Sequence, residues 1–239
     1  PTKCNLSREL VRRLSINTSL YISFMMKIKH IIWDWNGTLV NDAQLCVDIV
    51  NEILSEFDIP PVSLEFYRNN FSFPVRNYYD RLGLPKNEKS YRRVSEIFIS
   101  EYRKRWESCD MQPNAYETMN RVRDAGISQS VLSASKFADL VKFVDGFGLS
   151  DLLETLSGTS NVQAAGKKDI STSHLSKISA DPESTLIVGD TVHDFEVSNF
   201  LGTHCVLFSG GHNSSKVLKQ SGCEAVVEDL LRVFDRVID

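Results

Sequence analysis

The sequence lacks the features that mark several protein classes. It has 27 Lys and Arg residues against 31 Asp and Glu, a formal net charge of −4 and a pI near 5.8, so no basic excess is available for a broad nucleic-acid-binding face. No apolar run is long enough to cross a bilayer. The 5 cysteines are scattered and form no C-x-x-C pair, which predicts neither a disulfide framework nor a zinc site. We therefore expect reduced thiols, a cytoplasmic location, and no nucleic-acid or membrane partner.

Length and composition are those of an ordinary globular protein. The chain has 239 residues, of which 42% are hydrophobic and 24% are charged, enough for one sizeable core and a smaller inserted lobe. There is no internal repeat. Residues 1–26 combine arginines with a Ser-rich stretch that faintly resembles a targeting peptide, and we expect them to form an N-terminal extension outside the fold.

One stretch, residues 30–40, joins a buried strand to a polar turn. A β-branched, apolar run ends in Asp34, followed by Asn36, Gly37 and Thr38, and such a run is typical of a strand buried on both faces. Ligands collect at the carboxyl ends of strands in open α/β sheets. Gly37 permits close approach of the backbone, and successive amides of the turn can bind phosphate. The alternative is an ordinary strand-to-loop turn with an Asn-Gly pair.

The rest of the chain alternates strands and helices around one helical interruption. Residues 42–111 contain no β-rich run and mix aromatic with charged residues, which predicts an all-helical cap inserted after the first strand. From Pro113 onward, apolar strands recur between amphipathic helices. The pattern predicts an α/β fold, a Rossmann-like, doubly wound, mostly parallel sheet. The predicted core domain comprises residues 27–41 and 112–239.

Four groups of polar residues follow predicted strands in a fixed order. They are Asp34 with Asn36-Gly37-Thr38, then Ser133, then Lys167 or Lys168, then Asp190 and Asp194. Their order and chemistry resemble those of the haloacid dehalogenase-like hydrolase superfamily, in particular its phosphoglycolate phosphatase-like group with a helical cap. The resemblance covers roughly residues 28–238. Each motif is weak alone, whereas four in the right order are specific.

The resemblance implies a Mg²⁺-dependent phosphatase acting on a small phosphorylated metabolite. Asp34 would attack phosphorus and form an aspartyl-phosphate. Oxygen ligands suit a hard ion, and the implied ligands of Mg²⁺ are Asp34, the backbone carbonyl of Asn36, and Asp190. Asp194, four residues after Asp190, would join this metal site or orient the lysine.

The implied phosphate site uses groups from three segments. Ser133, Ala134 and the backbone after Asp34, at Gly37 and Thr38, would hold phosphate oxygens, and Lys167 would neutralise charge as the phosphoryl group moves. Simpler roles stay open: Ser133 as a helix cap, Lys167 or Lys168 as a solvated loop lysine, and Asp194 as a first-turn acid favoured by the helix dipole.

Position 36 departs from the family pattern, in which a second aspartate protonates the leaving group and activates water. Asn36 cannot transfer a proton, and loss of a general acid–base group typically costs about 10²–10⁴ in rate. Three explanations compete: a phosphatase in which another group or a good leaving group compensates, a relative with different chemistry, or a non-catalytic protein that binds a phosphorylated ligand. A Schiff-base mechanism is disfavoured because no lysine lies between Lys29 and Lys86.

Substrate choice is expected to depend on the cap. Arg76 follows the aromatic stretch 71–75 and is the candidate for binding an anionic group of the substrate, with a surface ion pair as its alternative role. We expect a monomer or a homodimer.

Overall fold

The protein is described from a computed structural model, which covers residues 28–160, 166–178, 180–223 and 225–238. The predicted extension, residues 1–26, lies outside these ranges. Within them, no helix has the length and apolar character needed to cross a membrane, and no disulfide joins the cysteines.

A six-stranded parallel sheet forms the centre of the molecule and confirms the predicted fold class. Its strands run in the order β3-β2-β1-β4-β5-β6. From β1 the strand order extends through β2 to β3 on one side, and from β4 through β5 to β6 on the other. A crevice therefore opens between β1 and β4, outside the carboxyl ends of the strands. The strands are β1 (His30–Trp33), β2 (Ser128–Lys136), β3 (Thr155–Thr159), β4 (Thr185–Gly189), β5 (His204–Phe208) and β6 (Val226–Val227).

Strand β1 is buried on both faces, as its continuous apolar sequence predicts. Ile31 and Trp33 pack into the larger hydrophobic cluster on one side, while Ile32 packs with Leu132 and Ile187 on the other. The side chains of consecutive strand residues point to opposite faces, so helices must cover both sides of the sheet. After His30, β1 therefore has no polar residue on either face.

Ten α-helices lie in the described ranges. Short polar caps begin several of them: Ser63, Asn87 and Ser214 each accept a hydrogen bond from a first-turn amide, as expected of N-cap residues. The helices are α1 (Ala43–Ser55), α2 (Leu64–Asn70), α3 (Val75–Arg81), α4 (Glu88–Arg105), α5 (Ala115–Asp124), α6 (Phe137–Gly146), α7 (Lys168–Leu175), α8 (Val192–Leu201), α9 (Ser215–Gln220) and α10 (Leu231–Ile238).

The segment from residue 42 to residue 111, called here the helical insertion, contains α1–α4 and no strand of the sheet. Its two ends meet, because Val40 and Met111 form an isolated antiparallel bridge and Asn41 N–H donates to the Asp110 carbonyl over 2.9 Å. Both connections to the sheet therefore lie beside the turn that follows β1. That a separately moving cap domain occupies residues 42–111 remains a prediction.

A buried chain of histidine and serine side chains links β1, β2, β3 and α7. The ring nitrogens of His30 lie 2.6 Å from the hydroxyls of Ser128 and Ser130. Those of His174 lie 2.9 Å from Ser130 Oγ and 2.8 Å from Ser157 Oγ. Burial lowers the pKa of His30 to about 4 and the pKa of His174 to about 3. Both rings are therefore neutral in the folded protein near pH 7.

We expect these two histidines to make folding stability fall in mild acid. In the unfolded chain their pKa is near 6.5, so as pH falls below 6.5 the unfolded state binds protons that the folded state does not. The loss continues to about pH 4 for His30 and about pH 3 for His174. At pH 4.5 each is expected to account for a loss of about 2–3 kcal/mol in the free energy of unfolding.

Urea denaturation of the parent, His174→Gln and His204→Gln at pH 7 and pH 4.5 measures this effect. The stability difference between the two pH values is expected to shrink in His174→Gln and to stay at the parent value in His204→Gln, which replaces an exposed histidine. An unchanged difference in His174→Gln would contradict the assignment.

Candidate active site

The predicted polar groups do meet at the carboxyl edge of the sheet, on both sides of the crevice between β1 and β4. Asp34 follows β1 directly, and its N–H donates to the Val188 carbonyl of β4 over 2.8 Å. Asp190 follows β4 directly. Because adjacent parallel strands end at the same level, their following residues become neighbours. Asp34 is 9% exposed, and Asp190 is fully buried.

Lys167 is the cation at the centre of this edge. Its Nζ lies 2.5 Å from Asp34 Oδ1 and 2.5 Å from Asp194 Oδ1, and it donates to the Leu132 carbonyl over 3.0 Å. Burial lowers the pKa of Lys167, but Asp194 and Asp34 outweigh burial and raise it. Lys168 instead places its ammonium 4.5 Å from the centre of the Phe200 ring. Of the two candidate lysines, the structure brings Lys167 to Asp34.

Asp194 serves helix α8 and Lys167 at the same time. Its Oδ2 accepts from the N–H groups of Asp190 and Thr191 at 3.2 and 2.9 Å, and from Thr191 Oγ1 at 2.7 Å. This is a capping box. Burial raises the pKa of Asp194, but Lys167 and these hydrogen bonds outweigh it and lower the pKa. The two oxygens of Asp194 are thus shared between Lys167 and the first turn of α8, which fits the predicted lysine-orienting role, and its part in the metal site remains a prediction.

Asp190 is held by Thr38 and by the loop after β5. Thr38 Oγ1 donates to Asp190 Oδ1 over 2.7 Å, and His212 N–H donates to Asp190 Oδ2 over 2.6 Å. Burial raises the pKa of Asp190 to about 6, an effect that His212 partly offsets. Thr38, predicted to face the phosphate, is fully buried and uses its hydroxyl to orient Asp190.

Asp42 and His212 were not among the predicted site residues, yet both reach the site. Asp42 immediately precedes α1, but its side chain makes no capping hydrogen bond to that helix. It accepts instead from Gly37 N–H over 2.8 Å, and its Oδ1 lies 3.3 Å from His212 Nε2. Gly37 N–H therefore donates to Asp42, whereas it was predicted to donate to a phosphate oxygen.

Asp42 and His212 form a buried pair whose charges stabilise each other. Burial lowers the pKa of His212, but Asp42, Asp190 and Asp34 outweigh burial and raise it to about 9. Burial raises the pKa of Asp42, but His212 and the hydrogen bonds from Asn36 and Tyr102 outweigh burial and lower it. The signal available in the sequence was a carboxylate eight residues after Asp34 and a Gly-Gly-His-Asn loop after a strand.

The amide of Asn36 is fixed by three partners. Its Nδ2 donates to Asp42 Oδ2 and to Tyr102 Oη, both over 2.7 Å, and its Oδ1 accepts from Ser135 Oγ over 2.8 Å. Tyr102 in turn donates to Asp42 Oδ2 over 2.8 Å. An amide suits this position because it donates to a carboxylate; a second carboxylate here would face Asp42.

Ser133 and Ala134 line the cavity above Asp34. Ser133 is buried, and its Oγ accepts from Ser135 N–H over 3.0 Å, which leaves its hydroxyl hydrogen available to a phosphate oxygen. Arg76 does not join them. It pairs with Glu88 on the surface and donates to the Lys86 carbonyl over 3.2 Å, so it takes its alternative role as a surface ion pair.

The residues present fit a divalent cation at Asp34 and Asp190. Carboxylate oxygens of Asp34, Asp190 and Asp194 lie within 4.8 Å of one another, and all-oxygen donors suit Mg²⁺. Burial raises the pKa of Asp34 well above its ordinary value although Lys167 opposes this shift, and Asp194 and Asp190 raise it further. The site therefore has an excess of negative charge that a cation would offset.

Comparisons with known proteins agree with this geometry. Residues 31–208 match the family of haloacid dehalogenase-like hydrolases. The chain is 24% identical over 220 residues to a phosphoglycolate phosphatase of Pseudomonas syringae pv. tomato, covering 88% of this chain and 80% of the relative. It is 26% identical over 212 residues to a phosphoglycolate phosphatase of Caulobacter vibrioides, covering 85% and 88%. A solved haloacid dehalogenase-like hydrolase from Streptococcus pneumoniae superposes with a TM-score of 0.75 at 16% identity, covering 88% of this chain and 99% of that one.

Gly37 is required by both its backbone and its surroundings. Its φ is +78°, and an added Cβ would lie 2.3 Å from Asp190 Oδ2 and 2.5 Å from His212 Cδ2. Gly83 has a similar φ of +84°, but an added Cβ would meet nothing within 4 Å. The left-handed backbone costs a non-glycine residue about 1–2 kcal/mol at both positions.

We expect Gly37→Ala to lose about 1–3 kcal/mol more of the free energy of unfolding than Gly83→Ala, because Asp190 must move. Urea denaturation of the two variants measures this difference. Equal losses would contradict the contact between position 37 and Asp190.

The Asn36–Asp42 contact predicts an unusual response to restoring the family's residue. Asn36→Asp replaces a donor by a carboxylate oxygen against Asp42 Oδ2, and we expect it to destabilise the fold by about 2 kcal/mol. Adding Asp42→Asn restores a pair of one carboxylate and one amide, now with the carboxylate at position 36 and the amide at position 42. A double-mutant cycle by urea denaturation should therefore give a favourable coupling of about 1 kcal/mol or more; additive losses would show that the two side chains do not interact.

Proposed function

Since the chain belongs to the haloacid dehalogenase-like hydrolase family, we propose that it is a Mg²⁺-dependent phosphatase that hydrolyses a small phosphorylated metabolite through an aspartyl-phosphate on Asp34. The observation that carries this proposal is the position of Lys167 between Asp34 and Asp194, at the base of a cavity lined by Asp34 and Ser133. The relatives named phosphoglycolate phosphatase support the class of reaction.

In the proposed reaction Asp34 supplies the nucleophilic oxygen. It must be ionised to attack phosphorus, and burial opposes ionisation. Lys167, 2.5 Å from Asp34 Oδ1, stabilises the carboxylate and is held in place by Asp194. Ser133 donates its hydroxyl hydrogen to a phosphate oxygen, which fixes the phosphoryl group near Asp34.

Mg²⁺, held by Asp34, Asp190 and the carbonyl of Asn36, would supply positive charge that reduces repulsion between the carboxylate and the phosphate dianion. Thr38 and His212 orient Asp190 for that role through hydrogen bonds to both of its oxygens. The cytoplasmic location predicted from the cysteines belongs to the same proposal.

The side chain of Asn36 does not carry a proton in this reaction. Its amide group donates to Asp42 and Tyr102 and accepts from Ser135, so it positions groups without titrating. The leaving oxygen therefore takes its proton from water, and the turnover rate depends on how stable that oxygen is as an anion.

A non-catalytic phosphate-binding protein is the second candidate function. The observation that favours it is the same Asn36, fully engaged in hydrogen bonds within the protein. Such a protein would keep the phosphate-binding groups and would not turn over a phosphate ester.

The deciding experiment is hydrolysis of p-nitrophenyl phosphate with and without Mg²⁺ by the parent, Asp34→Asn and Asp48→Asn. We expect Mg²⁺-dependent turnover in the parent, a loss of about 10³-fold or more in Asp34→Asn, and parent activity in Asp48→Asn, which replaces an exposed aspartate on α1. Absence of turnover in the parent, combined with binding of inorganic phosphate by calorimetry, would support the binding protein instead.

A further inference from the structure

The cavity above Asp34 is walled by aromatic side chains. It has a volume of about 150 Å³ and lies between the helical insertion and the sheet edge. Asp34, Asn36 and Ser133 line its polar end. The remaining wall is mainly apolar and includes Phe71, Phe73, Tyr78, Phe98, Tyr102 and Phe143. A phosphate held at Asp34 would direct its ester group toward this wall.

The volume of the whole cavity sets an upper limit of about one small ring for the ester group. An apolar protein cavity of roughly 150 Å³ is large enough to bind benzene. Ring edges and faces in the wall, such as the tilted pair Phe71–His212 with centroids 5.4 Å apart, provide the offset and edge contacts that a further ring prefers.

The side of the cavity formed by the helical insertion has no uncommitted cation among the described residues. Arg103 is the arginine that the helical insertion contributes to the described lining, and it donates three hydrogen bonds of 2.6–3.0 Å to Asp139. Arg68 is bound to the carbonyls of Gly210 and Gly211 at 2.8 Å. Lys136 also lines the cavity, at the end of β2 on the sheet side. A carboxylate on an ester group that extends toward the insertion would therefore lie against an apolar wall without a partner on that side, which is unfavourable.

The chemistry of position 36 points to the same kind of ester. With Asn36 in place of an acid, the leaving oxygen departs as an anion. The conjugate acid of an aryl oxide has a pKa of about 10, as in tyrosine, whereas that of an alkoxide lies several units higher, near that of water at about 15.7. An aryl oxide therefore leaves far more readily without a proton donor.

We propose that the cavity binds the single aromatic ring of an aryl phosphate monoester, and that this class, rather than a carboxylated alkyl phosphate, is the substrate of the site. The inference rests on the proposed phosphatase function. Asp34 attacks phosphorus, the P–O(aryl) bond breaks, and its electron pair leaves with the aryl oxide, which takes a proton from water. Water then attacks the phosphorus of the aspartyl-phosphate, Asp34 is released, and the products are a phenol and hydrogen phosphate.

The first test compares kcat/KM of the parent with Mg²⁺ for phenyl phosphate, cyclohexyl phosphate and phosphoglycolate. We expect kcat/KM for phenyl phosphate to exceed kcat/KM for phosphoglycolate by at least about tenfold. It should also exceed kcat/KM for cyclohexyl phosphate, whose ring is similar in size but whose leaving group is an alkoxide. Equal or faster turnover of phosphoglycolate would overturn the proposal.

A matched pair of variants on α4 tests the wall itself. Ile99 lines the cavity, whereas Ser100 is exposed. Ile99→Arg places a cation in the apolar wall and is expected to lower kcat/KM for phenyl phosphate at least about tenfold while raising the relative rate with phosphoglycolate. Ser100→Arg should keep the parent's preference. A parent-like preference in folded Ile99→Arg would count against the wall as the specificity element.

Binding measurements separate this inference from the proposed function and need no variant to fold. Calorimetry of the parent with phenylphosphonate and phosphonoacetate, neither of which is a phosphate ester, should show at least about tenfold tighter binding of phenylphosphonate. If no ester is turned over but this preference is found, the ring assignment stands and the phosphatase proposal fails. If phosphonoacetate binds as tightly or more tightly, the ring assignment is overturned whatever the activity.

Discussion

The contact on which the site depends is a lysine ammonium held between two buried carboxylates. Asp34 follows β1 and Asp194 lies in the first turn of α8, and without Lys167 their charges would repel in the protein interior. Lys167 opposes the effect of burial, which raises the pKa of Asp34 at the polar end of the cavity. Asp194 ties this ion pair to the first turn of α8, because its second oxygen completes the capping box that begins the helix. The same carboxylate therefore stabilises a helix and orients the lysine.

A second buried pair, Asp42 and His212, connects the helical insertion to this centre. Asp42 lies where the insertion begins and binds Gly37 N–H, while His212 N–H holds Asp190. Tyr67 of the insertion places its hydroxyl 2.9 Å from His212 Nδ1. Any movement of the insertion relative to the sheet must therefore disturb contacts to groups that hold Asp190 and Asn36.

Asn36 is better understood as one half of a pair than as a missing acid. The family pattern places a carboxylate at position 36, whereas this chain places an amide there and a carboxylate at position 42, 2.7 Å away. In the proposed reaction the leaving group departs without a proton from position 36, and the aromatic cavity wall is consistent with such leaving groups.

The sequence by itself determined the parallel α/β fold, because continuous apolar strands buried on both faces and amphipathic helices alternate along the chain. The order of the polar groups at Asp34, Ser133, Lys167 or Lys168, Asp190 and Asp194, together with the resemblance to a known family, predicted the site residues. Only the tertiary structure decided the partners of these residues. Asp42, 8 residues after Asp34, and His212 on a distant loop meet across the crevice, and no local pattern encodes that meeting. Likewise Arg76 had the right charge in the right segment, but the packing of the insertion turned it toward Glu88 and lined the cavity with rings instead. Periodicity reports which face of an element is buried; which groups face one another across a cavity depends on how the elements pack.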